Sequence, residues 1–134
     1  MKKGLEVVGA IFIRDGLVFA ARRGMGKYAY LSHKLEFVGG KVDPGENAEE
    51  ALLRELREEM ALKAHIVRPY DAVLHTYPDF TIHLQTFLCE MDSDYVILEH
   101  EEALWLSIDT LDTTDWAPAD APIVEKIKRE FGKE

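Results

Sequence analysis

The residue pattern predicts an α/β protein. Three observations carry that expectation: strand-like runs over 5–14, 64–76 and 81–91, turn dipeptides that punctuate them, and two segments with helical spacing, one after Asn47 and one after Asp120.

Leu5 to Arg14 is rich in Val, Ile and Phe and reads as a buried strand. Asp15-Gly16 is a two-residue hairpin turn, and Leu17 to Ala21 is the returning strand. It runs into Arg22-Arg23 and a glycine-spaced Gly24-Met25-Gly26-Lys27. Such an arginine pair is either surface charge or a grip for phosphate, whose oxygens suit the guanidinium fork. Lys34 to Phe37 predicts a short strand leading into a glycine turn at Gly39-Gly40, where a backbone without side chains admits close approach of a ligand. Asp43-Pro44-Gly45 is turn chemistry. Asn47 then caps a helix, with Glu50 three residues on to complete a capping box.

Beyond the helix, 64–76 and 81–91 predict an antiparallel pair joined by Tyr77-Pro78-Asp79-Phe80. The acidic Leu98 to Glu102 reads as a loop, Trp105-Leu106-Ser107 as a further strand, and Ile108 to Thr114 as containing a short helical turn. Ile123, Val124, Ile127 and Phe131 follow helical spacing, with Asp120 placed as N-cap.

At 134 residues the chain is expected to form one domain over 1–134. Its single cysteine, Cys89, excludes an internal disulfide and sits in an apolar strand. No apolar run approaches a membrane span and no signal-peptide pattern opens the chain, so the expectation is a cytoplasmic protein with no membrane partner. A net charge of −9 argues against binding a long nucleic acid. A small anion bridged by metal ions is compatible with it.

The placement of charge in the first helix is informative. At about 100° per residue, Ala48, Ala51, Leu52, Leu56 and Leu62 share one arc, the face to be buried. Glu55 and Glu59 fall inside that arc and Glu58 on its edge, whereas Glu49, Glu50 and Arg57 lie opposite. A solvated face accounts for Glu49 and Glu50. It does not account for carboxylates aimed at a core, which cost several kcal/mol unless paired or metal-bound. One arginine, Arg54, cannot neutralise three of them, and hard divalent cations take such oxygen ligands.

Gly40, five residues, Glu46, seven residues and Arg54-Glu55-Leu56-Arg57-Glu58-Glu59 match the signature of the Nudix hydrolases, with Leu62 in its last apolar place. The one departure is Ala61, where the pattern has glycine, and a shifted helix end is the expected result. The chain resembles this family over nearly its full length, most closely the MutT and CTP pyrophosphohydrolase branch. The resemblance implies an α/β/α sandwich, a curved mixed sheet between the motif helix and the C-terminal helix.

It also implies hydrolysis of a nucleoside triphosphate to the monophosphate and pyrophosphate, in house-cleaning of oxidised guanine or (d)CTP-type nucleotides. The alternatives are another diphosphate substrate (a nucleotide sugar, ADP-ribose or a dinucleoside polyphosphate) and a non-catalytic nucleotide sensor. The implied cofactor is Mg²⁺, with Mn²⁺ as a substitute, held by Glu55, Glu58, Glu59, the carbonyl of Gly39, and a further carboxylate before the tryptophan strand. Glu99 is the choice for that carboxylate and Glu102 the reserve. Either Glu55 or Glu99 is the implied base, Arg54 orients the glutamates, and Glu46 supports loop and helix. Arg23 and Lys41 are implied phosphate contacts. Tyr77, Asp79 and Phe80 align with a base-contacting loop, so Tyr77 and Phe80 are candidates to stack on a base. Asp120 matches a base-reading position and is expected to cap the helix, read the base, or both. A monomer or a homodimer is equally compatible with these residues.

Overall fold

The computed structural model describes residues 3–132. One sheet has the order β5-β1-β7-β6, formed by β1 (Lys3–Ile11), β5 (Val38–Lys41), β6 (Ala64–Thr76) and β7 (Phe80–Met91). β1 pairs parallel with β7 and antiparallel with β5, so the sheet is mixed. A second sheet joins β2 (Ile13–Arg14), β3 (Leu17–Arg22) and β4 (Leu35–Glu36), with β8 (Glu102–Ser107) on the other side of β3. The β2–β3 turn has Asp15 and Gly16 both at positive φ, 52° and 77°, as a tight hairpin requires.

Side-chain alternation on the strands sends successive residues to opposite faces. Val8, Ala10, Phe12, Phe19, Ala21, Phe87 and Cys89 pack with Ala51, Leu52, Leu56 and Met60 of helix α1 (Ala48–Met60). Ile11, Val18 and Ala20 instead meet Ile123, Val124 and Ile127 of helix α2 (Ala121–Phe131). The helices therefore cover opposite faces of the strands, the sandwich expected. A third apolar cluster of Leu31, Tyr77, Phe80, Ala117 and Ala119 closes one end. No helix among the described residues is long and apolar enough to cross a membrane.

Three local expectations are corrected. Gly39 and Gly40 do not form a turn: they lie within β5, paired with Gly9 and Val8 of β1. A Cβ on Gly39 would run into the carbonyl of Val8, so close strand packing is what needs glycine there. Ala61 does not shift the helix end. It takes the left-handed conformation itself, φ 49° and ψ 33°, and its N–H bonds back to Arg57 and Leu56 carbonyls. Asp120 stands at the start of α2 but makes no side-chain cap, because its carboxylate is committed elsewhere. Asn47 and Glu50 form the expected capping box on α1. The 108–114 region holds two 3₁₀ turns, Ile108–Thr110 and Thr113–Asp115.

Candidate active site

The carboxylate end of the site is organised by one guanidinium. Arg54 Nε donates to Glu46 Oε2 at 2.7 Å, and its NH1 donates to Glu55 Oε1 at 2.7 Å and Glu58 Oε1 at 2.8 Å. Its NH2 donates to the Lys41 carbonyl at 3.0 Å and Glu46 Oε1 at 2.9 Å. A single planar fork thus ties the loop before α1, the end of β5 and two turns of the helix together. Glu46 also accepts the Asp43 N–H at 2.9 Å, and these donors hold its carboxyl below the usual range, Arg54 foremost. Glu55 reaches into the space left by the missing side chain of Gly40, where a Cβ would overlap its carboxylate. Glu58 stays exposed.

Glu59 is set deeper. Burial, then Glu55, then the charges of Glu36 and Glu99 push its carboxyl well above the usual carboxylate range. Its Oε2 is buried without a hydrogen-bond partner. A buried, partnerless oxygen among like charges carries a substantial cost unless a cation joins it. Among the described residues no three acidic, imidazole or thiol groups stand together as a finished ligand cluster. The donor set is nonetheless all hard oxygen, and the partnerless Glu59 oxygen beside Glu55 and Glu99 fits a hard divalent cation.

Glu99 is delivered by a loop that closes the end of α1. The Val96 N–H donates to the Met60 carbonyl at 2.8 Å and the Leu98 N–H to the Glu59 carbonyl at 3.3 Å, using acceptors a helix end leaves over. Glu102, the reserve, is bonded instead to Arg22 Nε at 2.7 Å on β8. Arg22 is further tied to Asp115 and the His33 carbonyl, so of the arginine pair it is Arg23 that faces the cavity.

The other end is aromatic. Tyr77 and Phe80 are 4% and 8% exposed, so they form a wall more than a free stacking face. The Tyr77 hydroxyl accepts the Ala119 N–H at 2.9 Å. Tyr30 stacks on Tyr77 with centroids 5.5 Å apart, Tyr28 lies 5.5 Å from Tyr30 and 5.3 Å from Phe80, and the Tyr30 hydroxyl donates to Asp79 Oδ2 at 2.8 Å. Asp120 Oδ2 accepts the N–H of Phe37 at 3.0 Å. Burial above all, with Glu36 as second cause, pushes the Asp120 carboxyl up to about 8, against the lowering effects of the Phe37 N–H and Arg23. The protonated form that burial favours both accepts and donates.

These two ends are walls of one cavity of about 670 Å³. It is lined by Gly39, Gly40, Lys41, Glu59 and Glu99 at one side, by Tyr28, Tyr77, Asp79, Phe80 and Asp120 at the other, and by Arg23 as well. Glu55, Glu58, Arg54 and Glu46 do not line it and adjoin it through the contacts above. Sequence reasoning missed Tyr28, Tyr30, Glu36 and His100. The signals were a Tyr-Ala-Tyr in a glycine-bounded loop, a lone acid in the apolar Leu35-Glu36-Phe37, and a histidine inside an acidic run.

Comparison with known proteins bears on the family and the fold. The NUDIX domain family pattern matches residues 4–127. The chain is 33% identical over 130 residues to the 8-oxo-dGTP diphosphatase of Escherichia coli K12, covering 96% of this chain and 99% of that one. It is 34% identical over 125 residues to the CTP pyrophosphohydrolase of the same organism, covering 92% and 90%. The crystal structure of a MutT NUDIX hydrolase from Burkholderia pseudomallei superposes with a TM-score of 0.83 at 22% identity, over 94% of this chain and 99% of that one, a likeness of fold.

Proposed function

Since the chain belongs to the Nudix hydrolase family, we propose that it is a nucleoside triphosphate pyrophosphohydrolase. It converts a triphosphate and water to the monophosphate and pyrophosphate, and its role is house-cleaning of oxidised or modified nucleotides of the 8-oxo-dGTP or (d)CTP type. The observation that supports this most is the single cavity with carboxylates at one end and buried aromatic and Asp120 walls at the other. A polyphosphate needs the first and a base needs the second.

Nudix hydrolases work with a divalent metal, and in this chain Mg²⁺ is the proposed ion, held by Glu55, Glu58, Glu59, Glu99 and the Gly39 carbonyl. When bound it supplies charge neutralisation for the polyphosphate and acidifies a water molecule. The chain's own residues do the rest. Arg54 fixes Glu55 and Glu58 in one orientation before substrate arrives, which is the kind of preorganisation that lowers a barrier. Arg23 and Lys41 bring positive charge to phosphate oxygens. A carboxylate, Glu55 or Glu99, accepts the proton of the attacking water. Protonated Asp120 presents one donor and one acceptor to a base edge, while Tyr28 and Phe80 give it apolar contact.

Pyrophosphate release is the test, across the common triphosphates, 8-oxo-dGTP, 5-methyl-dCTP, ADP-ribose and a dinucleoside polyphosphate, with Mg²⁺ and with Mn²⁺. Preference for an oxidised guanine or cytosine triphosphate supports the proposal. Turnover confined to the diphosphate-linked compounds would replace it.

A further inference from the structure

Between the two ends of the cavity lies His100. Its side chain is 7% exposed, and Nε2 stands 3.0 Å from Glu36 Oε2 and 3.6 Å from Glu59 Oε2. Glu36 Oε1 in turn accepts from Arg23 NH1 at 2.9 Å. The ring's Nδ1 is buried without a partner, so the proton of a neutral imidazole belongs on Nε2, where it is donated to Glu36. Glu59 Oε2 stands beside the same nitrogen, within ion-pair range and not hydrogen-bonded to it. Glu36 belongs to the Arg23 side of the cavity and Glu59 to the glutamates of α1.

We propose that His100 is a positioning residue that sets Glu36 against Arg23 and fixes the side chain of Glu59, so that the cation-holding and nucleotide-reading ends are built as one unit. It has this role only if the cavity is a cation and nucleotide site. A histidine that merely fills space would not need its Nε2 hydrogen-bonded to one acid and beside a second while its other nitrogen goes unpaired.

The test compares wild type with His100→Leu, which keeps bulk and loses the N–H, and His100→Gln, whose amide N–H reaches about where Nε2 lies. The Mn²⁺ dissociation constant is measured without nucleotide by electron paramagnetic resonance, nucleoside monophosphate binding by calorimetry, and integrity by thermal unfolding. The leucine variant is expected to weaken Mn²⁺ binding about tenfold, the lower range for residues that orient metal ligands. It is also expected to weaken monophosphate binding, and glutamine to restore most of both. Wild-type values in the leucine variant overturn the proposal, and so does equal loss in leucine and glutamine. Should the leucine variant not fold, Glu36→Gln interrupts the same connection from its other end, and unchanged monophosphate binding there overturns it equally. A wild type that binds Mn²⁺ but no nucleotide would sink the nucleotide reading itself, and the Mn²⁺ comparison would still decide whether His100 positions Glu59.

Discussion

Asp120 and Phe37 are joined across 83 residues by a buried hydrogen bond of 3.0 Å from the Phe37 N–H to the Asp120 carboxyl. With its carboxyl pushed up to about 8 from an ordinary 3.8, Asp120 binds a proton more tightly in the folded chain than in the unfolded one. Its contribution to stability is therefore complete below about pH 4 and is lost as pH rises toward and through 8. Asp120→Asn keeps an acceptor for Phe37 and does not titrate. The gap in Tm between Asp120→Asn and wild type should widen in the variant's favour from pH 4 to pH 8 and then level off. Parallel curves would show that the carboxyl titrates normally. On substrate, the same variant should change base preference more than total hydrolysis.

Arg54 spends both faces of its fork on Glu46, Glu55, Glu58 and the Lys41 carbonyl. Lysine keeps the charge but cannot donate in four directions from one plane. Arg54→Lys is expected to lower kcat by about tenfold or more, as for other residues that orient ligands, with a cooperative unfolding transition intact. Wild-type kcat in this variant would mean that charge alone suffices.

Adjacent glycines should fail differently. A Cβ on Gly40 first meets the side chain of Glu55, whereas one on Gly39 first meets the backbone of Val8 and Gly9. Gly40→Ala is expected to fold and lose most turnover, because Glu55 is displaced. Gly39→Ala is expected to be the less stable of the two by thermal unfolding. The reverse order would contradict the close β1–β5 approach.

Much of this was legible from periodicity and much was not, for physical reasons. Helical repeat alone puts Glu55 and Glu59 toward the core, because a residue's angle on a helix is fixed by its position in the chain. The Asn47–Glu50 cap spans three residues and is equally local. The Arg23–Glu36 and Glu36–His100 bonds span 13 and 64 residues, and nothing local encodes them. Asp120 shows the competition directly: its type and place suit a cap, but the Phe37 N–H, brought in by the strands, takes its carboxylate. Ala61 departs from the motif's glycine, yet it takes the left-handed turn while exposed, between the buried Met60 and Leu62.

That conformation has a measurable cost. A left-handed alanine costs about 1–2 kcal/mol, and glycine gives back about 0.4–1 kcal/mol through the unfolded chain. Ala61→Gly should stabilise the protein by roughly 0.5–1 kcal/mol in chemical denaturation. A destabilised variant would mean that the Ala61 methyl makes contacts of greater worth.

Glu59 should display a trade between stability and activity. Glu59→Gln replaces a buried carboxyl, whose ionised form burial and neighbouring charges disfavour, so the metal-free variant is expected to unfold at a higher temperature than metal-free wild type. Its kcat should fall by orders of magnitude, since an amide is a poorer ligand for a hard cation. Mg²⁺ should raise the Tm of wild type and raise that of Glu59→Gln much less. Equal rises in both would separate Glu59 from the cation.

The loop that seals the end of α1 carries Glu99 only a residue beyond its hydrogen bond to the Glu59 carbonyl. Surface loops are ordinarily where chains accept insertions, fusions and length drift. Here every added residue would move a carboxylate relative to the helix it serves, so the chain between Tyr95 and Glu99 is effectively a ruler. Diversification of this scaffold, by nature or by design, would have to keep the length of this loop.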